Sequence, residues 1–145
     1  MPNLLTNKIF LAGIIAIVIC QIIKMIYNSV KDKKFNFRHI FELSGMPSAH
    51  TATVIALATM IYFIEGISNL FIVTVFLAIY VIDEVLWVEE SVGAHSRIFN
   101  KLSKAIMLEK VIPSPLRERW GHTYEEVSVG AVIGFLIALF INYLL

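Results

Sequence analysis

The hydrophobic positions of the chain gather into four long runs, at residues 9–27, 49–67, 70–88 and 127–145. Each is close to the roughly 20 apolar residues that an α-helix needs to cross a bilayer. The pattern predicts four spanning helices. Gln21 and Lys24 lie near the end of the first run, where a lysine can extend along lipid and bring its charge to the interface. Glu65-Gly66-Ile67-Ser68 forms a short connection, so the second and third spans read as an antiparallel pair. Residues 96–108 differ in kind. There Ile98, Phe99, Leu102 and Ile106 recur at helical spacing among charged residues, which predicts an amphipathic helix on the membrane surface or against the bundle. Pro113-Ser114-Pro115 ends it.

Composition sharpens this picture. Of 145 residues 58% are hydrophobic, and mean hydropathy is +0.78. Ordinary soluble domains are about half apolar. With the excess concentrated in the runs, the chain reads as a single all-α membrane domain spanning residues 1–145: a helical bundle of about four spans plus the amphipathic helix. The N-terminal run lacks a signal-peptide cleavage pattern and reads as a retained helix. The single cysteine, Cys20, lies inside an apolar run and reads as a packing residue. Gly130 and Gly134 carry the small-xxx-small spacing that lets helices approach closely.

Net charge is only +1, but its distribution is informative. Lys31, Lys33, Lys34 and Arg38 lie between the first two spans, and Arg97, Lys101, Lys104, Lys110, Arg117 and Arg119 between the last two. The connection between the second and third spans has no basic residue. The positive-inside rule makes the basic side cytoplasmic and puts both termini outside. The amphipathic helix then lies on the cytoplasmic side, and Trp87 and Trp120 serve as interface anchors there. His50, His122, Glu126 and the acidic cluster Asp83, Glu84, Glu89 and Glu90 share that interface, which makes it a candidate functional face. No feature suggests a nucleic-acid partner.

Two motifs there carry chemistry: Ser44-Gly45-Met46-Pro47-Ser48-Ala49-His50 and Gly121-His122-Thr123-Tyr124-Glu125-Glu126-Val127. Each has helix-start residues immediately before an apolar run. Pro47 suits a first helical turn, and Ser48 or Ser44 can cap it. Helix starts present free N–H groups and positive potential to anions, phosphate above all. Ser48, Gly121 and Thr123 are candidate phosphate-binding positions, with Arg97, Arg117 and Arg119 as candidate cations. Glu126 lies four residues after His122, on the same helical face. The pair fits a nucleophilic or general-base histidine with an orienting carboxylate, and equally a capping box built by Thr123 and Glu126. His50 fits a general acid or a helix-start histidine at the interface. His39 reads as a surface residue, and His95 carries a weaker signal. Glu84, Glu89 and Glu90 read either as ligands of a divalent cation that bridges to phosphate or as partners of the nearby Arg and Lys side chains.

Gly45-Met46-Pro47-Ser48-Ala49-His50-Thr51-Ala52 resembles the G-M-P-S-S-H-S-A signature of the divergent branch of the type 2 phosphatidic acid phosphatase superfamily, which also contains the vanadium-dependent haloperoxidases. Gly121-His122-Thr123, Glu125-Glu126-Val127, Gly130 and Gly134 resemble that branch's second signature. The resemblance implies that His122 attacks phosphorus and forms a phosphohistidine, that Glu126 supports it, and that His50 donates a proton. It requires no metal, although a divalent cation remains compatible with the glutamates. It implies a membrane lipid with a phosphate headgroup as partner. The chain departs from the branch's Y-D-A-x-G-V-R-R-A-x-G segment, where Glu89 and Glu90 replace two arginines and reverse the local field. Lys34 and Arg38 lie near the superfamily's first motif but not at its spacing. The expected activity is hydrolysis of a phosphomonoester or pyrophosphate on a lipid. The alternatives are a catalytically altered relative that binds or translocates a phospholipid or polyprenyl phosphate, and a structural subunit. Four spans are few to enclose a site, which leaves room for a homo-oligomer.

Overall fold

The computed structural model describes residues 4–33, 35, 45–106 and 115–145. Lys34, Arg38, His39, Ser44, Lys110, Pro113 and Ser114 therefore lie outside the described residues. Among those described there is no strand, and the molecule is an all-α bundle. Helix α1 (Lys8–Lys31) starts at Asn7, whose side chain accepts from the Phe10 N–H at 3.0 Å. Helix α2 (Ala49–Glu65) is capped by Ser48 and stops at Gly66, where φ is +67° and a left-handed turn suits glycine. Pro47 lies one residue before that cap rather than in the first turn. Ser68 caps α3 (Asn69–Asp83).

The sequence reading gives the third span, 70–88, and the amphipathic helix, 96–108, as separate elements. Instead a π-helical turn, Glu84–Val88, joins α3 to α4 (Glu89–Ala105) in one continuous helical body of 37 residues. The amphipathic segment is thus the distal part of a longer helix. Its small and polar stripe, Gly93, Ser96, Asn100 and Ser103, faces the protein, while Ile98, Phe99 and Leu102 face outward. Helix α5 (Tyr124–Leu144) closes the bundle.

Helix α2 is the hub, packed most extensively on α5, then on α1 and α3. Apolar side chains gain little by leaving lipid for protein, so close packing must supply the cohesion. The core accordingly uses small residues: Ala12, Ala16, Cys20, Ala52, Ala56 and Ala138 are all fully buried. A Cβ at Gly130 would lie 2.5 Å from the Ser48 carbonyl oxygen, and one at Gly134 would collide with that of Ala52. The glycines let α5 lie directly on the α2 backbone. Large side chains such as Ile14, Val18, Phe76, Ile79, Val132 and Phe140 are exposed, as lipid-facing residues are. Helix α1, the α3–α4 body and α5 are long and apolar enough to cross a membrane, while α2 is a shorter apolar helix of 17 residues. The protein is an integral membrane helical bundle.

Lys24 corrects the sequence reading. It does not reach outward to the interface but is fully buried, the largest side chain to be so among the described residues.

Candidate functional site

The starts of α2 and α5 meet. The Ser48 N–H donates to the Glu126 carbonyl at 3.0 Å, tying the two motifs by their backbones. The π-helical turn closes the third side, where the Val85 carbonyl accepts the His122 N–H at 2.9 Å. Inserting one residue in a helix rotates everything beyond it by about 100°. The turn precedes Glu89, whose carboxylate lies against the start of α5.

At this junction the His50 and His122 rings stand edge to face, with centroids 6.0 Å apart and planes at 84°. The His122 side chain is fully buried, with Nδ1 3.3 Å from Glu89 Oε2. Its Nε2 is buried with no hydrogen-bond partner among the described residues. Burial, the positive charge of Lys24, His50 and Arg119 push the His122 pKa down to about 4, so the ring is neutral near pH 7. A neutral imidazole whose Nδ1–H is held by a carboxylate presents an unprotonated Nε2.

The carboxylate against His122 is therefore that of Glu89, not of Glu126. Glu126 completes a capping box: its Oε2 accepts the Thr123 N–H at 3.1 Å, and its own N–H donates to Thr123 Oγ1 at 3.3 Å. Its other oxygen holds Arg119 Nη2 at 2.7 Å. The nucleophile-and-partner reading and the capping reading of this stretch fall on different glutamates.

The remaining sequence candidates divide. Ser48 is fully buried, and its hydroxyl oxygen accepts from the Thr51 N–H and the Thr51 hydroxyl. Gly121 is required by close approach, since a Cβ there would lie 2.8 Å from the Glu90 nitrogen. Arg97 is drawn away from the histidines by Glu90 at 3.2 Å and by the Glu118 carbonyl at 3.3 Å. Arg117 stacks over Trp120, 5.3 Å from the ring centroid. Arg119, through Glu126, is the arginine joined to the α5 start. Glu84 and Glu90 are exposed, and His95 is exposed on α4. Among the described residues, no three His, Cys, Asp or Glu side chains converge as metal ligands.

Two residues that the sequence reading passed over complete the site. Lys24 comes from the middle of the bundle and bears electrostatically on His50, His122 and Glu89. Asn100 clamps the irregular strand of chain before α5: its amide exchanges hydrogen bonds with the Leu116 backbone at 2.8 and 2.9 Å and holds Glu118 Oε1 at 2.8 Å. That clamp fixes the path leading to Arg117, Arg119 and His122. One sequence signal pointed to Lys24, a lone charge in an apolar run with Gln21 three residues earlier on the same face.

Comparisons with known proteins extend this picture. The chain matches the family model described as the Divergent PAP2 family over residues 5–137. It is 30% identical, over 156 aligned positions, to YuiD, an uncharacterized membrane protein of Bacillus subtilis (strain 168), covering 97% of this chain and 98% of that one. No solved structure matches.

Proposed function

Because the chain belongs to the Divergent PAP2 family, we propose that it hydrolyses a phosphomonoester or pyrophosphate of a membrane lipid through a phosphohistidine on His122. The observation that carries this reading is the buried, unpartnered Nε2 of a neutral His122 whose Nδ1 lies on Glu89, with a second histidine ring 6.0 Å away.

In the first step Nε2 attacks phosphorus. The N–P bond forms as the P–O bond to the leaving group breaks, and His50 gives its proton to the departing oxygen. Glu89 accepts the Nδ1–H and stabilises the positive charge that develops on the ring. In the second step water attacks phosphorus, His50 takes a proton from it, and the N–P bond breaks to release inorganic phosphate. Lys24 and Arg119 offset the phosphoryl charge, a role suited to cations in a site that excludes water. This assignment answers the reversed field at Glu89 and Glu90. One glutamate serves the nucleophile, the other is paired with Arg97, and the compensating cation comes from α1. The distribution of basic residues supports a site facing the cytoplasm with both termini outside.

The test is phosphate release by the purified protein in detergent from phosphatidic acid, phosphatidylglycerophosphate and polyprenyl pyrophosphate, with and without magnesium. Acid-labile, base-stable phosphate on the quenched protein, lost with turnover in His122→Ala, is the expected result. Headgroup binding without release from any of these lipids would replace hydrolysis with lipid binding or translocation.

A further inference from the structure

The α3–α4 body is longer than a membrane is thick. Its 37 residues run about 55 Å, against about 30 Å of hydrocarbon. Keeping all of it inside would take a tilt of about 55°, beyond the roughly 40° that spanning helices reach. About 20 residues cross the hydrocarbon, which uses Asn69 to Val88 and leaves α4 as the remainder. At about 100° per residue, α4 divides into three sectors. The first, Gly93, Ser96, Asn100 and Ser103, is buried against the protein. The second holds Arg97, Lys101 and Lys104, all exposed. The third holds Val92, Ile98, Phe99, Leu102 and, at the end of the helix, Ile106, and these apolar side chains are exposed too. Ser91 and His95 are its polar members, and the Ser91 hydroxyl donates to the Trp87 carbonyl at 2.8 Å. No Asp or Glu lies between Ser91 and Ile106, and Glu90 is already paired with Arg97.

We propose that α4 docks on the surface of the leaflet at which it emerges, that it selects anionic phosphodiester lipids there, and that this docking switches the site on. Such lipids are effectors and not substrates, since they carry no phosphomonoester. The switch rests on the phosphohistidine reading above; the docking does not. The occupant follows from the two exposed sectors taken together. Their centres stand about 140° apart. A helix lying along the leaflet then puts Ile98, Phe99 and Leu102 into the acyl boundary while Lys101 and Lys104 reach the headgroups. An apolar strip alone would suit any apolar partner, but a row of cations beside it with no carboxylate among them suits an anionic surface. The buried sector carries the consequence to the site. Asn100 holds Leu116 and Glu118, and Arg97 reaches the Glu118 carbonyl. Gly93 leaves room for that carbonyl, since a Cβ there would lie 2.6 Å from its oxygen. The chain so held leads directly to Arg119 and His122, and Glu89, in the first turn of α4, lies on His122. A leaflet that fixes α4 therefore fixes Glu89 and Arg119 around the nucleophile.

The experiment reconstitutes the full chain in vesicles of phosphatidylcholine, alone or with one third phosphatidylglycerol. A fluorophore quenched by brominated lipid is attached to Phe99→Cys or Leu102→Cys, with Phe76→Cys on α3 as the lipid-facing reference, all in a Cys20→Ala background. The reference should be quenched in both membranes, and the two α4 labels much more strongly in the anionic one. Each lysine near an anionic surface favours docking by about fivefold. Lys101→Gln with Lys104→Gln should therefore lower the ratio of docked to undocked helix by about 25-fold, and high salt should act in the same direction. Turnover of phenyl phosphate should rise with phosphatidylglycerol in the wild type, stay flat in the glutamine pair, and rise again in Lys101→Arg with Lys104→Arg. Unquenched α4 labels beside a quenched reference would overturn the docking. Equal quenching in the two membranes would overturn its charge selectivity. Shielding that grows with protein density and not with anionic lipid would give the face to a second copy and overturn the proposal. Docking with turnover indifferent to phosphatidylglycerol would overturn the switch. Docking without turnover of any ester would keep the surface and refute the phosphatase reading instead.

Discussion

The two helix starts that carry the histidines touch, yet they hold their rings in opposite ways. His122 is locked: its N–H is bound to the Val85 carbonyl, its Nδ1 lies on Glu89, and its side chain is fully buried. His50 sits in the first turn of α2 with its ring exposed, meeting His122 edge-on. The difference matches two chemical duties. A nucleophile must keep one tautomer and one direction, which burial and a carboxylate enforce. A proton donor must regain its proton in every cycle, which requires access.

Removing the locked ring gives the largest expected effect. His122→Ala should lower turnover by about 10⁴-fold or more, as loss of a nucleophile does, and size-exclusion and thermal unfolding should show a folded protein. Glu89 and Glu126 provide a sharper test. Glu89→Gln keeps the side-chain shape but removes the charge, and kcat should fall by about 10³- to 10⁴-fold. Glu126→Gln removes the charge that holds Arg119 but keeps an oxygen for the capping box, and should appear mainly as about 1 kcal/mol or less of lost stability. The reverse order would return the orienting role to Glu126. His50→Gln should cost about 10²- to 10³-fold on alkyl esters. The loss should shrink on a nitrophenyl ester, whose leaving oxygen needs no proton.

The smallest effect is a shift on the pH axis. Turnover needs unprotonated Nε2, so it is lost as pH falls through the His122 pKa. With that value near 4, the acid limb of kcat/KM should lie near pH 4, and an alkaline limb should report the loss of the His50 proton. Lys24→Met removes a charge that holds His122 down and should move the limb to higher pH, read from pH–rate profiles on phenyl phosphate.

Much of this arrangement was legible in the sequence. Four apolar runs gave the helices, the residues around Gly66 gave the turn, and the glycines of α5 gave a close helix contact whose partner, α2, only the structure names. The two histidine motifs are joined by Ser48 and the Glu126 carbonyl, which spacing alone could only suggest. The π-helical turn was not legible. It depends on one extra residue inside a continuous apolar and acidic stretch, and no glycine or proline marks it. Missing it, the sequence reading gave His122 the carboxylate four residues on, Glu126, and not the one that the turn brings from α4. Lys24 was misread for a related reason. Periodicity puts it on a helix face but does not say whether that face meets lipid or protein.

The buried Lys24 also bears on how the chain is assembled. A lysine tolerated within α1 gains its surroundings from parts made later: a Cβ added at Gly45 would lie 3.9 Å from its stem, and Glu89 and His122 share its field. A nascent chain holding α1 alone would leave that amine to lipid or to the interface, at a cost of about 2.5–3.5 kcal/mol when central in a span. The amine's electrostatic neighbour His122 arrives only with the final quarter of the polypeptide. The residue that tunes the nucleophile is thereby also a check on completeness, and a chain cut short before α5 should remain a recognisable substrate for membrane quality control.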